Sequence, residues 1–438
     1  MKKQLDKLRG ASFVAFTRIF GLLATMSTSV FIARVYGADV YGTYATVLAV
    51  VMTLSLPIVG GLQTYLVRET ARNRDHRASA LNLLMQMQAL SKRYALAVIV
   101  SFSIAMYFLW KPDNAALLMY LAIVIFTIYP TAMIQNYSAF SRGLGWSKAG
   151  TLFEFFLKPS LFLAGLMALY LVNSLAEAYW IYILYVVSIT ICATSLLALI
   201  HRHFSYNRNE FTGRSWRTVY ISDGLGFLTV IGGLQVLLAN VDLLIVSWLM
   251  EPTDVAIYKI ALQFGVLVGF GLTIMNLVLQ PILANHYSRS EMGLFQQELS
   301  FYTLINQAST TVLCIAIYYF RRDLVTLIFG PGYEQSADLI PYILAGQFVN
   351  VMAGSAGVVL NMTNNHIYVL RGFLISITTT LIILLLAIPE YGLKGAGIAY
   401  FVSFVTWNIY LLVKVKTTLG VNSSPLLHWA QKWMGRNE

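Results

Sequence analysis

Among the full charges set within long apolar runs of this 438-residue chain, Arg18, Glu154 and Lys158, and Asp242 and Lys259 stand out, with Asp223 at the head of another run. A charge in hydrocarbon costs several kcal/mol, so such a side chain must face a protein interior, a partner or water. Arg18 shares a helical stripe with Thr17, Gly21, Thr25 and Thr28. Turned inward, its planar guanidinium suits a phosphate or pyrophosphate group. Turned outward, its long stem reaches the interface instead. Glu154 and Lys158 lie four residues apart, acid first, the spacing and order that favour a helical pair. They either neutralise one another or contact a substrate, and Pro159 predicts a kink beside them.

Asp242 and Lys259 stand equally far from the turn near residue 250. Antiparallel helices meet at matched depths, so the two are expected to approach, as a structural ion pair or as a protonation or ion-coupling site. Asp223 heads a small and polar face continued by Ser222, Gly226, Thr229, Gly233 and Asn240. Such a face serves either tight helix packing or substrate contact. Gln63, Gln135, Asn136, Gln280 and Asn361 add amides within or at the ends of the runs, able to bond sugar hydroxyls.

Other chemistries lack their motifs. The Gly-rich stretch near Gly224 has neither the strand–loop–helix setting nor the lysine of a phosphate loop. The histidines show no metal-ligand spacing. Cys192 and Cys314 both fall in apolar runs and imply no disulfide framework. Neither a cofactor nor a metal is expected.

The elements that must position these residues follow from composition. The chain is 58% hydrophobic and 11% charged, with a mean hydropathy of +0.68. Soluble domains carry roughly 25% charged residues, so this is an integral membrane protein. Its net charge of +11 is read as topology rather than nucleic-acid binding. A span needs about 20 apolar residues. Twelve runs satisfy this, at 12–35, 43–66, 87–109, 115–138, 150–172, 178–200, 221–249, 256–281, 301–320, 338–361, 371–389 and 395–413. The first is longer than a signal-peptide core and is read as a span that stays uncleaved.

Alternate connections hold about 22 of the 30 Lys and Arg, and the opposite ones about five, which predicts both termini in the cytoplasm. Trp110, Trp180 and Trp248 fall near external ends, and Trp146, Trp216, Trp429 and Trp433 near cytoplasmic ones, as interfacial belts do. The tail from Ser424 predicts a short amphipathic helix on the inner surface.

The chain also echoes itself. Gly42-Thr43-Tyr44 aligns with Ala256-Ile257-Tyr258, and the loop at Arg142-Gly143-Leu144-Gly145 with Met362-Thr363-Asn364-Asn365. The two offsets are similar and suggest duplication. The expected domains are a six-helix bundle over 1–205, a basic linker over 206–219, a second bundle over 220–420 and the tail over 421–438. Parallel repeats of this kind are a transporter architecture, in which substrate binds between the halves and rocking alternates access.

Four segments carry a family resemblance. Arg34-Val35-Tyr36-Gly37-Ala38-Asp39-Val40-Tyr41-Gly42-Thr43-Tyr44 resembles the signature that follows the first helix of polysaccharide transporters. Asn240-Val241-Asp242 with Asp254-Val255-Ala256-Ile257-Tyr258 resembles their seventh-to-eighth-helix hairpin, although Ala256 stands where Gly is usual. Leu327-Ile328-Phe329-Gly330-Pro331-Gly332-Tyr333 and Ile388-Pro389-Glu390-Tyr391-Gly392-Leu393-Lys394-Gly395-Ala396-Gly397-Ile398-Ala399 resemble two further signatures.

The chain thus resembles the polysaccharide transporter branch, including Wzx-type O-antigen flippases, of the multidrug/oligosaccharidyl-lipid/polysaccharide exporter superfamily. The resemblance implies an all-α membrane protein of twelve helices in two pseudo-symmetric bundles. It implies flipping of an undecaprenyl-pyrophosphate-linked oligosaccharide across the bacterial inner membrane. It implies no enzymatic activity. The expected partners are the lipid-linked oligosaccharide, membrane lipids and polysaccharide polymerase and chain-length machinery, with no nucleic acid. On this reading Arg18, Thr25, Glu154, Lys158 and Asn240 are substrate-binding candidates. Asp242, Lys259 and Asp223 are ion-pair or coupling candidates. A cation-coupled drug exporter of the same superfamily is the alternative, and it predicts carboxylates in an apolar pocket with little cationic character. A membrane polymerase or ligase would need a larger external loop than the one near Arg321 to Ala337. A passive scaffold would explain neither the repeat nor the buried charges.

Overall fold

The computed structural model describes residues 2–72, 77–109, 115–172, 177–203 and 225–425. The basic linker, Asp223 and the tail beyond Pro425 lie outside the described residues. Among those described, no strand occurs. The first half holds helices α1 (Lys2–Leu54), α2 (Leu56–Arg72), α3 (Arg77–Leu109), α4 (Ala115–Gly143) and α5 (Ser147–Thr151). A π-helical turn, Leu152–Leu157, joins α5 to α6 (Lys158–Val172), and α7 (Tyr179–His203) follows. The second half holds α8 (Leu225–Leu238), α9 (Val241–Leu249), α10 (Pro252–Ser288), α11 (Met292–Ile328), α12 (Ser336–Ala353), α13 (Ala356–Met362), α14 (His366–Tyr391) and α15 (Leu393–Leu419).

Six helices among the described residues are long and apolar enough to cross a membrane. Two bent pairs, Leu228–Leu238 with Val241–Leu249 at 47° and Ser336–Ala353 with Ala356–Met362 at 42°, raise the number to eight. The first of the six runs through a kink at Gly37, whose φ of 85° suits a residue without a Cβ. It therefore holds the first pass and the start of the second, which α2 completes. With α3, α4 and α11, the chain makes the twelve passes the sequence predicts.

Two compact units contain these passes, one of Met1–Tyr36 with Val47–Leu237, the other of Gly37–Thr46 with Leu238–Glu438. The division is not a single cut at the linker. Residues 37–46 belong to the second unit, and α8, the leading half of the seventh pass, to the first.

Within the first unit, a seam of buried side chains runs at three- and four-residue spacing. Leu81 and Leu84 of α3 meet Ile134, Tyr137 and Phe140 of α4 and Ile189, Cys192, Leu196 and Ile200 of α7. Leu225 of α8 is buried with Leu62, Tyr65 and Leu66 of α2 and Ala139 of α4. That packing is why α8 belongs to this unit. Elsewhere large apolar side chains point outward, Leu171 and Val172 being 84% and 87% exposed. An apolar exterior of this kind matches a hydrocarbon solvent rather than water.

Candidate functional site

The charged cluster of the first unit is built by the tight connection between the fourth and fifth passes. Helix α4 ends in a Schellman motif. The Trp146 N–H donates to the Ser141 carbonyl at 2.8 Å and the Gly145 N–H to the Arg142 carbonyl at 3.0 Å. Gly145 takes the positive φ of 85° that the motif requires. The chain then turns back along α4, and Gly150 brings α5 so close that a Cβ would lie 2.7 Å from the Ser138 carbonyl oxygen. This contact sets the last turn of α4 beside the start of the fifth pass.

Arg142 occupies that junction. Its Nη1 donates to Ser138 Oγ at 2.8 Å and to Glu154 Oε2 at 2.9 Å. The ion pair is largely withdrawn from solvent, the two side chains being 24% and 11% exposed. Two opposite charges in one hydrogen bond offset much of the cost of placing either at membrane depth.

Glu154 lies on the π-helical turn, and the sequence explains the turn. Pro159 has no N–H to donate to the Phe155 carbonyl four residues earlier, so the α-helical ladder cannot continue unbroken. The ladder widens, and the Lys158 N–H donates to the Phe153 carbonyl, five residues back. Isolated π turns of this sort recur at functional sites.

Arg18 of α1 faces the same turn. Its guanidinium carbon sits 4.5 Å from the centre of the Phe155 ring. Its buried Nε has no hydrogen-bond partner. Arg18 is electrostatically coupled to both Glu154 and Arg142. One turn further along, Gly21 abuts the Phe155 carbonyl, which seats α1 against the π turn. The cluster therefore holds two guanidiniums and one carboxylate. A net positive site of limited solvent access can accept a further anion.

The remaining first-unit candidates take different places. The Thr25 hydroxyl donates to the Gly21 carbonyl at 2.8 Å, so only its oxygen is left to accept a bond. Lys158 forms no ion pair with Glu154 within 4.0 Å. The four-residue spacing counted on an α-helix, whereas the intervening turn is π-helical, and Arg142 from the neighbouring pass takes the carboxylate. Gln63 donates to Gln135, and Asn136 donates to Ser91 Oγ at 3.0 Å. These amides tie α2 and α3 to α4.

In the second unit, Asn240 and Asp242 stand at the break between α8 and α9, where Asn240 occupies the N-cap position. Asp242 is buried. It accepts from its neighbour's backbone, Leu243 N–H, at 2.8 Å and from the Tyr258 hydroxyl at 2.9 Å. Lys259 is coupled to this carboxylate electrostatically but makes no ion pair with it within 4.0 Å among the described residues. Matched depth alone predicts that pair. Depth fixes height along a helix and leaves azimuth open, and consecutive residues on α10 are turned about 100° apart. Tyr258, one position earlier, faces the carboxylate.

A wider polar network in this unit escaped sequence reasoning. Gln347 Nε2 donates to Tyr400 Oη at 2.6 Å, Asn350 Nδ2 to Gln347 Oε1 at 3.3 Å, and Asn408 Nδ2 to Asn350 Oδ1 at 3.3 Å. Gly265 and Gly269, four residues apart on α10, leave the room that Gln347 occupies. Gln263 donates to the Tyr41 hydroxyl at 2.6 Å, joining α10 to the 37–46 segment. The signal was present as Gln, Asn and Tyr within apolar runs, but nothing in the spacing tells which of them meet. The sequence marks Arg142 by its place in a loop repeat and gives no sign of its partner. Among the described residues, no group of three or more His, Cys, Asp or Glu side chains could hold a metal ion.

Comparison with known proteins places this geometry in context. An inward-facing multidrug resistance MATE family transporter of the MOP superfamily superposes with a TM-score of 0.70 at 11% identity, over 92% of this chain and 98% of that one. Lipid II flippase MurJ, in an inward closed conformation, gives 0.67 at 12% identity, over 92% and 87%. A mutant of the Vibrio cholerae MATE transporter VcmN gives 0.61 at 15% identity, over 96% and 99%. The chain thus has the twelve-helix, multi-pass membrane fold of these transporters. No curated protein sequence matches it. Residues 8–287, more than half the chain, match the family described as polysaccharide biosynthesis protein, and the chain belongs to that family.

Proposed function

We propose that the protein is a flippase. It moves an undecaprenyl-pyrophosphate-linked oligosaccharide, such as an O-antigen repeat unit, from the cytoplasmic to the periplasmic leaflet of a bacterial inner membrane by alternating access. The observation that carries this reading is the largely buried Arg142–Glu154 ion pair with a second guanidinium, Arg18, stacked on the adjacent Phe155. Guanidinium groups are the side chains best shaped for pyrophosphate. The cluster lies where the fourth and fifth passes connect, an end that the charge bias assigns to the cytoplasm. Membership of a polysaccharide biosynthesis family supports a glycan cargo. The likeness to a lipid II flippase supports a lipid-linked one.

Energetics favour the direction. The cell interior is electrically negative, so outward movement of an anion gains about 2.3 kcal/mol per charge per 100 mV. No enzymatic step is required. Both termini lie in the cytoplasm, and the periplasmic product passes to polymerase and chain-length machinery.

Deletion tests the proposal. The cell should lose surface polysaccharide and accumulate the lipid-linked precursor on the inner leaflet. Alanine at Arg18 and Arg142 together should fail to restore export, even when the variant reaches the membrane in normal amount. Normal export without the chain would contradict the reading.

The buried Asp242, hydrogen-bonded to Tyr258 in an apolar surround, favours a second reading, a cation-coupled drug exporter. That reading predicts that Asp242→Asn abolishes drug efflux, whereas the Arg18 and Arg142 substitutions do not affect it.

A further inference from the structure

We infer that Glu154 is a displaceable internal counter-ion: it holds Arg142 while the site is empty, competes with the substrate's pyrophosphate for it, and so speeds release. The inference rests on the lipid-pyrophosphate reading of the same cluster and adds how that site lets its cargo go.

Three features support it. The Arg142–Glu154 contact is single, through Nη1 and Oε2 at 2.9 Å, and that same Nη1 is shared with Ser138 Oγ at 2.8 Å. A guanidinium has five N–H donors in a planar fork. A pyrophosphate, with oxygens spread over two phosphorus centres, can engage that fork in parallel, which one carboxylate oxygen does not. The substrate therefore has more to offer Arg142 than Glu154 has.

The second feature is Arg18. It stacks on Phe155, the residue after Glu154, and its Nε is buried without a partner. Glu154 neutralises one guanidinium of the two and leaves a net positive charge. A pyrophosphate diester, carrying two negative charges, matches both guanidiniums once the carboxylate withdraws. Without Glu154, the two cations would hold the diester more tightly, and departure would be slower.

The third feature is the π turn from Leu152 to Leu157. Its backbone ladder is already widened ahead of Pro159, so the carboxylate can swing without breaking an α-helical turn. The exchange forms and breaks only hydrogen bonds and ion contacts, and no covalent step is involved.

Binding of an undecaprenyl-pyrophosphate-linked sugar, a pyrophosphate diester, to the full chain in nanodiscs tests this, with undecaprenol and inorganic pyrophosphate as comparison probes. Glu154→Gln keeps size and hydrogen bonding while removing charge. It should tighten binding of the lipid pyrophosphate roughly tenfold, the scale of one charge-assisted hydrogen bond, and slow its transfer between leaflets several-fold. Glu154→Asp, which keeps the charge on a shorter arm, should change both in the same sense by less. Unchanged or weaker binding in correctly folded Glu154→Gln would overturn the inference and leave Glu154 a positioning residue for Arg142. If the Gln variant does not fold, the Asp variant decides by the same criterion. Binding that depends on Arg18 and Arg142 but not on Glu154 defeats this inference alone. Wild-type chain that binds lipid pyrophosphate no better than undecaprenol defeats the site reading and this inference together. Inorganic pyrophosphate competing as strongly as the lipid would identify a soluble anion, not the lipid headgroup, as the ligand and contradict both.

Discussion

Gly21 abuts the backbone of Phe155, so closely that a Cβ at position 21 would overlap the Phe155 carbonyl oxygen. The overlapped atom is backbone on a π turn hemmed by Pro159, so the strain cannot be relieved by a rotamer change. Gly21→Ala should destabilise the protein by about 1–3 kcal/mol, the usual cost of overpacking, and should move Arg18 off Phe155. Gly233→Ala is the control, since nothing lies within 4 Å of its Cβ position. There the helix gains about 0.5–1 kcal/mol. Thermal unfolding in detergent, read by size-exclusion fluorescence, separates the two.

Gly145→Ala addresses the connection that delivers Arg142. The Schellman motif needs the positive φ of 85° at this position, which costs an L side chain roughly 1–2 kcal/mol. The expected result is a lower melting temperature and weaker lipid-pyrophosphate binding from an intact but loosened α4–α5 turn. An unchanged melting temperature would mean that the turn does not depend on this conformation.

Much of the architecture was legible in the sequence. Hydrocarbon imposes run lengths of about 20 residues, and that mark survives in the linear text. Pro159 also announced the irregularity beside Glu154. The partner of Glu154 was not legible, because it depends on how Gly150 lets α5 lie against Ser138. A four-residue spacing suggested Lys158, while the fold brought Arg142 from twelve residues back. The hairpin around residue 250 teaches the same lesson. The depth of Asp242 could be counted, but the rotation of α10 that presents Tyr258 could not.

That last contact is directly testable. Tyr258→Phe removes a donor from a buried carboxylate and should cost about 1–3 kcal/mol. In a double-mutant cycle with Asp242→Asn, the coupling should fall within about 0.5–3 kcal/mol. The cycle of Asp242→Asn with Lys259→Met should return a smaller coupling, since those side chains make no ion pair within 4.0 Å among the described residues. A larger coupling to Lys259 than to Tyr258 would restore the direct ion pair expected from depth.

The Gln347–Tyr400 bond at 2.6 Å gives a prediction for the second unit. Tyr400→Phe should cost about 0.5–1.5 kcal/mol as one net hydrogen bond is lost. Gln347→Leu should cost more, because it also strips one acceptor from Asn350. Equal losses would show that the Asn350 contact to Gln347 adds nothing to stability.

Carriage of a pyrophosphate-linked oligosaccharide across a bilayer is the proposed activity. Proteoliposomes loaded with a fluorescent undecaprenyl-pyrophosphate-linked oligosaccharide, challenged with a membrane-impermeant quencher, measure this most directly. With wild-type chain, lipid initially shielded in the inner leaflet should become quenchable, and Arg142→Ala should slow that phase at least tenfold. A shielded fraction that stays constant with wild-type chain present, or that is lost equally fast with the Arg142 variant, would contradict the account.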